Sequence, residues 1–185
     1  KEMNVVRATM GLESMSEPVL CYLKANVLVE QNEKAVETLN RFGIKAGASF
    51  IVGSPQETED DILRTLNFVK GRHLERAIVH LLTPLPGTPV WEYAKLKGLV
   101  SDDMDWNKLD VDFKGNLKNN IILSECLSGE RLCYYLKLFQ KESRKKEIVF
   151  MIKKLYSKII DILLNPGKIK AFLNLWHVIY LKLRP

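Results

Sequence analysis

Residues 47–58, GASFIVGSPQET, constrain what this chain can fold into more than any other stretch. Phe50, Ile51 and Val52 are consecutive and apolar, which predicts a central parallel strand covered on both faces by helices. Gly53 permits a sharp turn or a close approach to a ligand, and Pro55 fixes φ. Thr58-Glu59-Asp60-Asp61 has the pattern of a capping box that opens the next helix. In α/β sheets ligands gather at the carboxyl ends of the strands, so the loop 53–57 marks a candidate small-molecule site.

Similar units flank it. Residues 4–10 (NVVRATM) form a short strand pattern that runs into Gly11-Leu12-Glu13-Ser14, so a carboxylate emerges on the ligand side. Ser16 and Pro18 signal the start of a first helix that Lys24 closes, and a second helix spans residues 30–42 with Gly43 as its stop. After the central strand, residues 59–70 read as an amphipathic helix with Ile62, Leu63, Leu66 and Val69 inward, and residues 77–82 (AIVHLL) as a third strand. Strands alternating with helices imply parallel crossovers, as in open sheets and barrels. The third strand ends in Thr83-Pro84-Leu85-Pro86-Gly87-Thr88-Pro89, a stiff loop at the same end of the sheet. Pro89 opens a helix through Trp91, Tyr93, Ala94 and Leu96, stopped by Gly98. The α/β pattern ends there. Residues 101–120 read as a polar surface connection with at most a short element. Residues 128–164 are helical in period, with a bend or break predicted in the polar run KESRKKE (141–147). Asn165-Pro166-Gly167 stops that helix, and residues 168–183 form a last one.

With 185 residues, 46% of them hydrophobic, the chain is long enough for one core plus an extension. The three cysteines, Cys21, Cys126 and Cys133, are odd in number and widely spaced, which argues against a disulfide framework and for a reducing, cytoplasmic setting. Cys126 and Cys133 read as small buried residues and not as metal ligands. His73, His80 and His177 are isolated, and His80, on an apolar strand, reads as a core histidine. No apolar span of transmembrane length and no signal-peptide pattern is present. The formal charge is +6, but from Lys137 onward ten lysines and two arginines face three acidic residues, a local charge of +9. The basicity belongs to the tail.

The three strand-end motifs, in this order, resemble the later half of the radical S-adenosylmethionine barrel, a partial TIM-like (β/α) barrel followed here by an α-helical extension. The pattern G-x-E-S stands as Gly11-Leu12-Glu13-Ser14, F-I-x-G-x-P-x-E-T as Phe50 to Thr58, and P-x-P-G-T as Pro84 to Thr88. The match covers residues 4–100 and is most like the branch of methylthiotransferases and cobalamin-domain enzymes. The resemblance implies domains at 1–100 (the carboxy-terminal half of the barrel), 101–127 (a connection) and 128–185 (the helical extension). It implies S-adenosylmethionine and a four-iron four-sulfur cluster in a full-length parent, an iron–sulfur oxidoreductase or transferase that cleaves the sulfonium reductively to a 5′-deoxyadenosyl radical. Glu13 would bond the methionyl amine or ribose, and Lys24 would face the carboxylate. Ile51, Val52 and Gly53 would line the adenine, and Pro84 and Gly87 would shape the pocket wall.

One departure limits that reading. The family's cluster is held by cysteines spaced C-x-x-x-C-x-x-C, and this chain has no such run. It therefore reads as a carboxy-terminal fragment, inactive alone and binding no cofactor by itself, whose first partner is the missing amino-terminal half. The alternative is a non-catalytic interaction module, self-associating through exposed sheet edges, or a peripheral membrane-associated domain. For the basic tail, packing on its own domain ranks first, weak contact with an anionic membrane second and nucleic acid third. If packing is right, removing residues 168–185 lowers the thermal midpoint.

Overall fold

The computed structural model describes residues 4–71 and 74–165. Three parallel strands, β1 (Arg7–Glu13), β2 (Lys45–Val52) and β3 (Arg76–Leu81), pair in the order β1-β2-β3. Helices α1 (Glu17–Leu23) and α2 (Val29–Arg41) connect β1 to β2, α3 (Glu59–Lys70) connects β2 to β3, and α4 (Pro89–Leu96) follows β3. A single 3-10 turn, Trp106–Lys108, lies in the polar connection, and α5 (Gly129–Leu164) follows it. The α/β class and the partial barrel pattern expected from the sequence are thus observed. By contacts the chain divides into two units, Lys1–Lys146 and Glu147–Pro185. The expected helix at 168–183, together with His73 and His177, lies outside the described residues.

Strand alternation gives the sheet two unlike faces. Leu12, Ala46, Ala48, Phe50, Val52, Ala77 and Leu81 are buried on one face, against Val36 of α2, Ile62, Leu66 and Val69 of α3, and Leu132, Leu136 and Phe139 of α5. The opposite face carries Thr9 and Gly11 on β1, Gly47, Ser49 and Ile51 on β2, and Ile78 and His80 on β3. Here Thr9 pairs with Gly47, Gly11 with Ser49, and Ile51 with His80. This corrects one expectation: β2 is central, but the helical cover of its second face is partial, with Ile51 packed against the cluster that holds Trp91 and Ala94 of α4 while Ser49 and Ile51 stay partly exposed.

A second correction concerns α5, which runs unbroken through residues 141–147. The run holds no glycine or proline, and Lys, Glu and Arg are good helix formers. Glu142 pairs with Lys145 at 2.7 Å, and Lys146 Nζ donates to Leu74 O at 3.0 Å and to Gly71 O beyond the end of α3. The start of α5 is tied to the start of α3 by a bidentate ion pair between Arg131 and Glu59, to which Tyr135 Oη adds a hydrogen bond at 3.0 Å. That pairing holds the Glu59 carboxyl down at about 2.

The β2–α3 turn has an internal strut. The Thr58 capping box forms as the sequence predicts, with Asp61 Oδ2 accepting from Thr58 N at 2.9 Å and Thr58 Oγ1 accepting from Asp61 N at 3.3 Å. Inside it, Glu57 is 1% exposed, and its Oε2 accepts from the amides of Gly53 and Ser54. Glu57 is therefore not a solvent-facing charge at the helix start. Its Oε1 and the Ser54 hydroxyl are buried without hydrogen-bond partners among the described residues. Burial outweighs the two amide bonds and lifts the carboxyl from 4.5 to about 7.

Two outcomes follow from this packing. Phe139, fully buried, touches the sheet-side core, so Phe139→Ala should lower unfolding free energy by about 3–5 kcal/mol in urea titrations. For Glu57, the folded state holds a proton that the unfolded chain releases, so its contribution is complete below pH 4.5 and is lost as pH rises through about 7. Unfolding free energy should fall by on the order of 3 kcal/mol across that window. Glu57→Gln keeps an acceptor for both amides and should remove that slope when urea midpoints are measured against pH.

Candidate functional site

The carboxyl end of β1 is irregular in a way that aims a side chain. The register with β2 shifts between Gly11 and Glu13, and Glu13 adopts φ 61°, the left-handed region that a non-glycine residue enters at an energetic cost. Neighbours over-determine this strained turn. Asn32 Nδ2 donates to Leu12 O at 2.8 Å, Ser14 Oγ accepts from Ser16 N at 3.1 Å, and Thr65 Oγ1 accepts from Met15 N at 3.0 Å. Ser16 stands at the N-cap of α1 as expected, but its side chain does not cap; it donates instead to Asp61 at 2.5 Å. The result is a half-buried Glu13 carboxylate folded back over Gly11, where any β-carbon would collide with it. Lys24 Nζ donates to Gly11 O at 3.0 Å. Burial raises the Glu13 carboxyl above its usual range, while the charges of Lys24 and His80 pull it down.

At the end of β2 the three expected residues divide. Ile51 lies on the same face as Gly47 and Ser49, partly buried against the cluster that holds Leu82, Leu123 and Trp91 of α4. Val52 points the other way into the main core, so only its backbone is available to a ligand. Gly53 has φ 94°, and a β-carbon there would meet Leu81 Cδ1 at 2.9 Å, so glycine is required by conformation and by packing together. Beyond β3, Pro84 is buried, whereas Gly87 is exposed at φ 80° with open space around it.

The polar connection supplies what the motifs did not show. Trp106 stacks on Trp91 of α4 with ring centroids 5.7 Å apart, and Tyr93 Oη donates to Glu125 at 2.6 Å. Glu125 N donates to Pro55 O at 2.8 Å, and Thr83 Oγ1 approaches Asp110 O at 3.4 Å, so the connection reaches both loops at the strand ends. It thereby places Asp112 Oδ1 3.4 Å from His80 Nδ1. His80 is thus not the core histidine expected of an apolar strand: its side chain is 33% exposed, on the partly covered face of the sheet. Its phase, two residues after Ile78 and level with Ile51, was the signal available in the sequence.

The structure therefore brings Glu13, Lys24, Ile51 and His80 to one end of the sheet. These groups offer a carboxylate for a cation and an ammonium for an anion, beside Gly11 and Gly47, over which the Glu13 carboxylate and the Thr9 side chain fold. A cluster of iron and sulfur has no such fit. Cys21 and Cys126 are exposed and Cys133 is half-buried, which corrects the expectation of buried cysteines, and among the described residues no three potential ligands converge.

No family model matches the chain. Individual relatives do. An uncharacterized methyltransferase of Pyrococcus horikoshii is 37% identical over 130 residues, covering 69% of this chain and 28% of the relative. The tRNA-2-methylthio-N(6)-dimethylallyladenosine synthase of Baumannia cicadellinicola is 25% identical over 167 residues, 89% of this chain and 36% of the relative. Bacteriochlorophyllide d C-8(2)-methyltransferase of Chlorobaculum tepidum is 31% identical over 103 residues, 55% of this chain and 23% of the relative. The chain thus spans about a quarter to a third of the length of these curated relatives. The parallel βα units, the three strand-end motifs and these relatives agree, and the chain is similar to a carboxy-terminal region of the radical S-adenosylmethionine superfamily, in the branch of methylthiotransferases and methyltransferases.

Proposed function

We propose that this chain forms one wall of an S-adenosylmethionine pocket in a radical S-adenosylmethionine enzyme, as a carboxy-terminal portion of its barrel that is inactive alone. The observation that carries the reading is Glu13, a strained, half-buried carboxylate at a strand end, folded over Gly11 in the space a β-carbon would need. The cofactor, when bound, supplies a sulfonium and an adenosyl group for reductive cleavage; this chain's residues bind and orient it. Glu13 accepts from the amine or ribose, and Lys24, exposed beside Gly11, neutralises a carboxylate. Ile51 gives an apolar surface to the adenine, and the backbone of Val52 and Gly53 offers polar groups at its edge. His80, paired with Asp112, lies across the same face and is available to hold a proton.

The iron–sulfur cluster falls to residues other than the described cysteines, which do not converge. The reducing cytoplasm suits three free thiols and cluster chemistry alike. Transfer of a methyl or methylthio group is the reaction class favoured by the relatives' names.

One wall alone retains no cofactor but still contacts it weakly, so the reading predicts amide shifts at Glu13, Ser49, Ile51 and His80 when S-adenosylmethionine is titrated to high concentration into the chain and followed by NMR. Glu13→Ala should weaken the apparent affinity by about tenfold or more, the loss expected for a charge-assisted hydrogen bond. Because an ionised carboxylate is the better amine acceptor, affinity should rise with pH through the raised Glu13 value and become flat in Glu13→Ala. Shifts confined to other regions, or affinity indifferent to Glu13, would refute the pocket.

A further inference from the structure

From Glu147 onward α5 belongs to the second unit of the chain, and its surface differs from that of its first half. Ile148, Met151, Ile152, Leu155, Tyr156 and Ile159 follow the spacing of a single helix face, and their exposures run from 45% to 66%. On a helical projection this apolar sector is bordered by Lys158 beside Met151 on one side and by Lys153 on the other. Lys154 lies one turn before Lys158. Lysine at both margins suits a helix lying flat at an interface, where the aliphatic stems stay in the apolar layer and the ammonium groups reach outward. No helix among the described residues is long and apolar enough to cross a membrane, so the apolar face cannot be read as half of a span. Charge gives the partner's chemistry. The local +9 from Lys137 onward contrasts with about −3 for the rest of the chain, and this basic charge is complementary to anionic headgroups. A polynucleotide would satisfy the lysines but leave six large apolar side chains in water.

We propose that the second half of α5 is an in-plane membrane-binding helix for anionic bilayers. Its apolar face sits at the boundary between headgroups and acyl chains, with Lys153, Lys154 and Lys158 at the lipid phosphates. This placement is independent of the cofactor pocket on the first unit.

The test uses the full chain, sedimented with vesicles of phosphatidylcholine alone or mixed with phosphatidylglycerol. The chain should bind the mixed vesicles, bind neutral ones at least about tenfold more weakly, and come off as salt rises. The double variant Lys154→Glu, Lys158→Glu should weaken binding by about tenfold or more, since each basic group near the surface contributes roughly fivefold. Ile152→Ser with Ile159→Ser should abolish binding while leaving the thermal midpoint of the free chain unchanged. Absence of binding, or binding that survives both double variants, overturns the proposal. So does a fall in the midpoint on Ile152→Ser, which would mean that the chain covers this face itself. A concentration-dependent dimer that the serine variant dissolves would assign the face to a second copy.

Discussion

The bond on which the candidate site depends most is the one Glu57 makes to the turn after β2. A strand that ends in a glycine at φ 94° leaves two successive amides, Gly53 and Ser54, without partners in the sheet. Unpaired amides in a buried turn are costly, and a carboxylate four residues on can accept from both. The same helix start binds Thr58 to Asp61, and Asp61 also receives the Ser16 hydroxyl from the β1 turn. Two strand-end loops are therefore fixed to one helix N-terminus. The arrangement carries a built-in opposition: the carboxyl that organises the turn is too buried to ionise at its ordinary value. Stability and pH are coupled at this one residue.

Fixing the loops in this way lets the second face of the sheet remain small and partly polar. Gly11, Gly47 and Ser49 line its centre, while Glu13 and His80 stand at its ligand-side end. Packing alone would favour larger apolar residues here, as on the opposite face with Phe50 and Leu81. A left-handed Glu13, held by Asn32, Ser14 and Thr65, is strain that the packing does not call for. Strain of this kind at a strand end is the structural mark of a site.

What could be read in the sequence was local. Gly43 as a helix stop, the Thr58–Asp61 box, Gly53 and the βαβαβ order each depend on neighbours within a few residues, and propensity and periodicity report those directly. The residues that escaped were defined by distance along the chain. Asn32 serves β1 from 20 residues away, Asp112 meets His80 from a polar connection with no motif, and Lys146 closes the end of α3 from 75 residues away. Glu57 escaped for a different reason, since a helix-start glutamate in solvent and one turned back under its own loop have the same sequence pattern. The unbroken α5 shows the reverse error. A polar run reads as a break only until one counts its helix formers and finds no glycine or proline.

The partly open face also explains why Glu13 stands where competing effects nearly balance. Half-buried, it already loses enough solvation to raise its carboxyl, yet Lys24 and His80 still favour the charged form. Any cover laid over this face would lower the local dielectric, and both effects would grow together. An uncompensated carboxylate would then take up a proton, whereas one paired with a ligand ammonium would stay charged and hold that ligand more strongly than in the open state. Covering the face and binding a cation are therefore mutually reinforcing steps. The proposed pocket wall would gain selectivity for a cationic ligand once covered.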